Sequence, residues 1–194
     1  VSISGVGNIE LQGGATLNNA MTLNSYGTGS LDGAIQNVAG NNTIAGTVTL
    51  TGNSRLQSDA GTLTLSNTVA LGANTLNVGG TSNTTISGVI SGSGATALTK
   101  DGSGTLALLG NNTFSGNIAV NAGTLQLGAN NVIPISVAVS LATGATLDLN
   151  GFAQTIGGAG LTLGGTTGTS VAQVIGAGAG SILTLADPGG GVTY

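Results

Sequence analysis

Eight side chains carry all the formal charge of this 194-residue chain: Arg55 and Lys100 against Glu10, Asp32, Asp59, Asp101, Asp148 and Asp187. There is no His and no Cys, so the sequence offers no imidazole base, no thiolate nucleophile and no soft metal ligand. Asp101-Gly-Ser-Gly has the form of one calcium-binding turn. A stacked calcium site needs an Asp in successive turns, and this chain supplies it once. Lyase chemistry on a polysaccharide needs clustered acids and a basic group to take the proton, which isolated Asp residues and one Arg do not assemble. Gly102/Gly104 and Gly176/Gly178/Gly180 have the spacing of a phosphate loop, yet no helical pattern follows and no Gly-Lys-Ser/Thr is present, so they read as corner glycines. Lys100 beside Asp101, and Arg55 near Asp59, read as solvated pairs worth at most about 1 kcal/mol. Phe114 and Phe152 each follow a turn; they could stack on a sugar ring, but packing at a corner is the favoured reading. The expectation is therefore no catalytic residue, no cofactor-binding residue, no metal ligand and no enzyme.

The elements that carry these residues follow from composition. Charged residues make up 4% of the chain, against roughly 25% in an ordinary domain. With 40% hydrophobic residues and a mean hydropathy of +0.40, it does not fit the signature of disorder. Thirty-seven glycines and abundant Thr, Ser and Asn weaken helices, while Val, Ile, Leu and Thr favour strands. The expected class is all-β. An isoelectric point near 4.1 with two cations leaves no basic footprint for nucleic acid or an anionic membrane surface. No apolar run of about 18 residues can span a bilayer as a helix, and two Phe with two Tyr cannot build the aromatic girdles of a transmembrane barrel. Val1 opens directly on a strand-like segment, so the chain reads as a mature product or an excised piece.

Internal repetition organises the rest. GNNTIAG at Gly40 to Gly46 is echoed by GNNTFSG at Gly110 to Gly116, and each is followed by an AGTL element, at Ala60 and at Ala122. Looser versions begin at Gly102, Gly144, Gly158 and Gly180. The unit is a short turn and then Leu-x-Leu: Leu63/Leu65, Leu76/Val78, Leu106/Leu108, Leu125/Leu127, Leu147/Leu149, Leu161/Leu163 and Leu183/Leu185. Period-two pairs point to one face of a strand. Strands this short cannot stand alone, since burying one Leu or Val contributes only roughly 1.5–3 kcal/mol, so they must stack. The predicted architecture is a right-handed parallel β-helix over residues 1–194, a single continuous unit of roughly nine or ten coils at about 20 residues each. Gly40, Asn41, Asn42, Gly110, Asn111, Asn112, Asn130 and Asn131 are placed at bends, where stacked Asn amides could bond along the axis. Pro134 and Pro188 belong to loops or an edge.

The stretch from Leu98 to Leu127, LTKDGSGTLALLGNNTFSGNIAVNAGTLQL, closely resembles the autotransporter-associated β-strand repeat, or passenger-associated transport repeat. The match runs through Lys100, Gly102, Gly104, Thr105, Leu106, Leu108, Gly110, Asn112, Thr113, Phe114, Gly116, Asn121, Gly123, Thr124 and Leu125. That resemblance implies a β-helical passenger or stalk of a bacterial autotransporter or large surface adhesin, extracellular or on the bacterial outer surface. The functional expectation is a non-catalytic scaffold, passenger, stalk or filament-forming protein that supports adhesion or assembly. The expected partners are itself or the rest of a longer β-helical chain, by end-to-end stacking, and host or surface glycans; nucleic acid and membrane insertion are not expected. The alternative is a flat strand face that binds a ligand, glycan or ice, through Thr-x-Thr arrays such as Thr47/Thr49/Thr51 and Thr62/Thr64.

Overall fold

In the computed structural model, the structure describes residues 1–5, 7–27, 32–157, 160–165, 171–176 and 180–186. Expectations placed on Gly158, Gly178 and Pro188 lie outside the described residues. Every strand pairing is parallel, and consecutive strands fall in different sheets, which is the connectivity of a solenoid. The first face holds Ser2–Gly5, Met21–Ser25, Val48–Leu50, Val69–Ala70 and Ile90–Ser91. The second face runs from Ile9–Leu11 to Leu161–Leu163 and the third from Thr16–Leu17 to Gln173–Ile175, eight strands each. Ala153–Ile156 and Ile182–Leu185 pair separately.

The described strands make about seven stacked turns, fewer than the nine or ten of a uniform 20-residue coil. Most axial steps are longer than that, although Leu106 to Leu125 takes 19. Val48 pairs with Val69 and Val69 with Ile90, steps of 21 residues, but Leu17 to Ile44 and Leu147 to Val174 take 27, and Ala153 to Ile182 takes 29.

Alternation in the sequence becomes the core directly. Leu63, Leu65, Leu106, Leu108, Leu125 and Leu127 are all buried, as the Leu-x-Leu unit predicts. On the third face Leu17, Ile44, Leu65, Ile86, Leu108 and Leu127 stack in register as one column. On the second, Ile9, Ile35, Leu56 and Val78 do the same. Each residue caps the one below, so the short strands share one continuous core. The glycine of the unit makes the corner possible, since Gly61 and Gly123 turn at φ +78° and +70°, and a Cβ on Gly61 would lie 2.2 Å from the Gly40 carbonyl oxygen of the adjacent coil. The pattern weakens towards the C-terminus. Leu161/Leu163 and Leu183/Leu185 stand in register with the buried Val139/Leu141 and Gln154/Ile156, yet Leu163 and Leu185 are exposed and Leu161 and Leu183 only partly buried, because these strands have a described neighbour on one side only.

The first face stops after Ile90–Ser91, and side-chain amides continue its ladder. Asn112 accepts from the Ile90 N–H through Oδ1 (2.8 Å) and donates from Nδ2 to the Val132 carbonyl (2.9 Å), one coil on each side. Gln154 pairs both its amide ends with the Ile133 peptide, accepting at 3.1 Å and donating at 2.8 Å. Phe114, Val132 and Ile133 fill the interior there. Asn112 therefore does not project from a bend; it is buried and bridges coils. Asn42 departs likewise, buried within the strand Asn42–Ile44 against Asn37. At the corners the amides bond to main chain rather than to one another: Asn41, Asn53, Asn83, Asn117 and Asn130 each accept, through Oδ1, an N–H at the start of the next coil's strand, at 2.8–3.3 Å. Asn130 and Asn131 do occupy a turn, with Asn131 at φ +51°. Pro134 lies in a loop, as expected.

Candidate functional site

In a chain with so few charges, their placement is the first clue to a site. Of the seven described charged residues, Glu10, Arg55, Asp59, Lys100 and Asp101 lie in or directly after strands of the second face. The pairings expected from sequence proximity are not the ones formed. Arg55 does not pair with Asp59 as a solvated neighbour. Its guanidinium is buried and makes a bidentate contact with Asp101, Nη1 to Oδ2 at 2.8 Å and Nη2 to Oδ1 at 2.7 Å, across 46 residues. The reason is axial geometry. Gln57 pairs with Gly79 in the coil between, and Gly79 has no side chain, so Arg55 passes through the space it leaves; a Cβ there would lie 1.9 Å from Nη2.

A polar chain extends from this pair. Gln57 Oε1 accepts from Arg55 Nε and Nη2 at 3.2 and 2.8 Å, and Gln57 Nε2 donates to Asp59 Oδ1 at 2.7 Å. Gln36 Nε2, one coil below, donates to Asp59 Oδ2 at 2.7 Å. Donors and acceptors alternate over three axial steps, about 14 Å. Beside it Asn77, the register partner of Arg55, donates from Nδ2 to the Tyr26 hydroxyl at 3.0 Å. Tyr26 is 41% exposed, the one exposed aromatic ring among the described residues.

Lys100 is the second correction. It is 2% exposed, not solvated, and occupies an inward position in register between Val78 and Val120. Its stem fills the apolar column and its Nζ turns to the corner, donating to the carbonyls of Asp101, Gly102 and Ala122 at 2.8, 2.7 and 3.2 Å. Burial lowers its pKa from 10.5 to about 8, with Asp101 opposing the shift and Arg55 adding to it. The ammonium stays charged at neutral pH and cross-links one turn to the next.

The remaining candidates resolve simply. Gly102 lies at a corner, at φ +72°. Phe114 is buried and presents no ring to a sugar, and Phe152 is partly buried against the core, as the corner-packing reading expects. The two threonine arrays separate: Thr49 lies on the first face, and Thr62 and Thr64 on the third. There Thr16, Thr43, Thr64 and Thr85 form one outward column, and Thr105, Thr124 and Thr146 part of another. Among the described residues, no group of three or more His, Cys, Asp or Glu is placed to hold a metal ion, and no helix is long and apolar enough to cross a membrane. What sequence reasoning missed was the Arg55–Asp101 and Tyr26–Asn77 contacts; the signal was a spacing near two or more coil lengths, readable only once the coil length is known.

The family model of the passenger-associated-transport-repeat matches residues 98–127. No curated protein and no solved structure matches the chain. The matched segment holds Lys100, Asp101, Asn112 and Phe114, so the repeat's polar residues here serve coil-to-coil contacts. Fold and family match together support a non-catalytic structural solenoid with an autotransporter-passenger or adhesin association.

Proposed function

We propose that this chain is a structural element of an extracellular or surface-exposed bacterial protein, a right-handed β-helical passenger, stalk or filament segment that supports adhesion or assembly, with residues 1–194 forming one continuous helix. The observation that carries the reading is where the polar groups go. Lys100, Asn112, Gln154 and the corner asparagines are all engaged in bonds between adjacent coils. A molecule that uses its polar inventory to hold its own stack is built for length and endurance rather than turnover. The passenger repeat at 98–127 supports the surface setting. No cofactor, nucleic acid or inserted membrane segment enters this reading.

Its partners are further β-helical coils, from itself or from a longer chain, stacked end to end, and glycans. Ile182, Leu163, Ile175 and Val171 are exposed, and the strands Leu161–Leu163, Gln173–Ile175 and Ile182–Leu185 have a described neighbour on one side only, as do Ser2–Gly5, Ile9–Leu11 and Thr16–Leu17. Antibody labelling and protease treatment of intact cells that express the gene test the setting: surface labelling and cleavage are expected, and full protection until lysis overturns it. A second reading, a flat ligand-binding face, draws on the threonine columns of the third face. Only Thr62 and Thr64 stand side by side in one coil, so an ice-type array is one residue wide elsewhere, and a thermal-hysteresis assay should be silent.

A further inference from the structure

We propose that the outer side of the second face, between Gln36 and Asp101, is a binding site for a neutral oligosaccharide, with Tyr26 as its stacking platform. This rests on the surface-scaffold reading for its biological setting, and on the geometry for its chemistry. Several features converge. The exposed aromatic ring, the Arg55–Asp101 ion pair and three amide side chains come from positions 26 to 101 of the sequence, yet the coil stacking gathers them on one surface. The ring is oriented rather than loose, because Asn77 donates to its hydroxyl at 3.0 Å. The amides and carboxylates are oriented too, each held by the next, so a ligand meets groups already in place. Two amide oxygens on this face, Asn77 Oδ1 and Gln36 Oε1, have no hydrogen-bond partner among the described residues while their NH2 groups are fixed. Elsewhere the corner amides are consumed by the main chain of the next coil, whereas this network is built of side chains on the outer side of strands, where Gln36, Gln57 and Asn77 are only partly buried.

The ligand class follows from that lining. A sugar ring offers an apolar face for Tyr26 and hydroxyls that both donate and accept, which suits a row where acceptors outnumber donors. Asp59 and Asp101 balance Arg55 and the Lys100 ammonium at the corner, and Glu10 on the same face tips the surface negative, so sulfated or uronic-acid glycans gain no net attraction here. A peptide would need apolar pockets or a free strand edge. The second face supplies no free edge here, since the strands Ser54–Ser58 and Leu76–Gly79 are paired on both sides.

Tyrosine fluorescence tests this on the full chain, which has no Trp and two Tyr. In a Tyr194→Phe background Tyr26 is the sole reporter, and it is titrated with neutral tetrasaccharides of glucose, galactose and mannose and with one sulfated tetrasaccharide. The expected result is a saturable change with at least one neutral probe, about tenfold weaker or absent with the sulfated one. Tyr26→Ala and Asn77→Ala, followed by saturation-transfer NMR of the same probe, should weaken binding about tenfold or more while the melting temperature is unchanged, since both residues lie at the surface. No saturable binding to any neutral probe overturns the proposal, and so does binding that survives Tyr26→Ala. Both failures leave the scaffold reading standing, because that reading is decided by labelling of intact cells.

Discussion

Replacing Lys100 by Met separates the two opposed contributions of a buried ammonium. The substitution keeps the unbranched stem that fills the column between Val78 and Val120, and removes the three bonds from Nζ to the carbonyls of Asp101, Gly102 and Ala122. Bonds from a charged donor contribute roughly 1.5–3 kcal/mol each. Against them stands the cost of burying the charge; a pKa lowered from 10.5 to about 8 corresponds to at most about 3 kcal/mol. The bonds win, so Lys100→Met should destabilise the fold by about 2–5 kcal/mol at pH 7. The pH dependence is the sharper test. Below pH 8 both folded and unfolded chains carry the proton and stability does not change on this account. Between about 8 and 10.5 the unfolded chain still binds a proton that the folded chain has released, so the native state gains stability as pH rises. Urea unfolding followed by circular dichroism at pH 7, 9 and 10.5 measures this as the difference between wild type and variant, in which tyrosine titration cancels. Wild type should gain up to about 3 kcal/mol relative to Lys100→Met across that window. A difference that stays flat, or a variant as stable as wild type at pH 7, refutes the assignment of Lys100 as a buried, charged cross-link.

The other expectations can be checked by the same unfolding assay. Thr84 Oγ1 is buried in the column between Leu63 and Leu106 with no partner among the described residues, so Thr84→Val should be neutral or stabilising by about 1 kcal/mol; a clear loss would point to a hidden partner. Gly79→Ala forces Arg55 off Asp101 and should cost about 1–3 kcal/mol, and the cost should vanish when Asp101 is already Asn. Leu125→Asp places an unpaired carboxylate in a fully buried column and should cost several kcal/mol, seen as loss of soluble folded protein; a stable variant would mean the strand faces are reversed.

The legible part of the fold is its period-two code. Leu106/Leu108 and Leu125/Leu127 declare an inward face, and the AGTL glycines declare a corner, because strand alternation and left-handed turns are local constraints that two or three adjacent residues reveal. What stays hidden depends on the axial register. Proximity along the chain offers Arg55 the carboxylate of Asp59, four residues away, although its true partner Asp101 lies two coils up, at a separation visible only after the 21- and 22-residue steps are known. Charge alone makes Lys100 look solvated; its burial requires a corner with three convergent carbonyls, and a corner's carbonyl directions are not written in residue types. Thr49 and Thr64 look like one array for the same reason: similar spacing along the chain does not say which face a strand joins.

Those hidden contacts share one physical logic. A solenoid with so few charges must satisfy main-chain polar groups wherever a strand is missing, and water cannot reach the interior of the stack. Where the first face ends, Asn112 supplies an acceptor to the coil below and a donor to the coil above, which is what a strand peptide does. Gln154 instead turns both amide ends to one peptide, that of Ile133 in the adjacent coil, satisfying its N–H and its C=O together. An amide carries its donor and its acceptor on two separate atoms, as a peptide does, so Asn112 can accept from one coil and donate to the other at once, which a carboxylate or an ammonium cannot do. Asn112→Asp would keep the acceptor to Ile90 and lose the donor to Val132, setting a carboxylate against a carbonyl. The variant should lose about 2–4 kcal/mol at pH 7, with part of the loss recovered near pH 3, where the protonated acid donates again. Hydrogen exchange should place the damage at the junction of residues 109–133 and leave the amides of Thr62–Leu65 protected. Uniform loss of protection along the whole stack would show that Asn112 is not a local bridge.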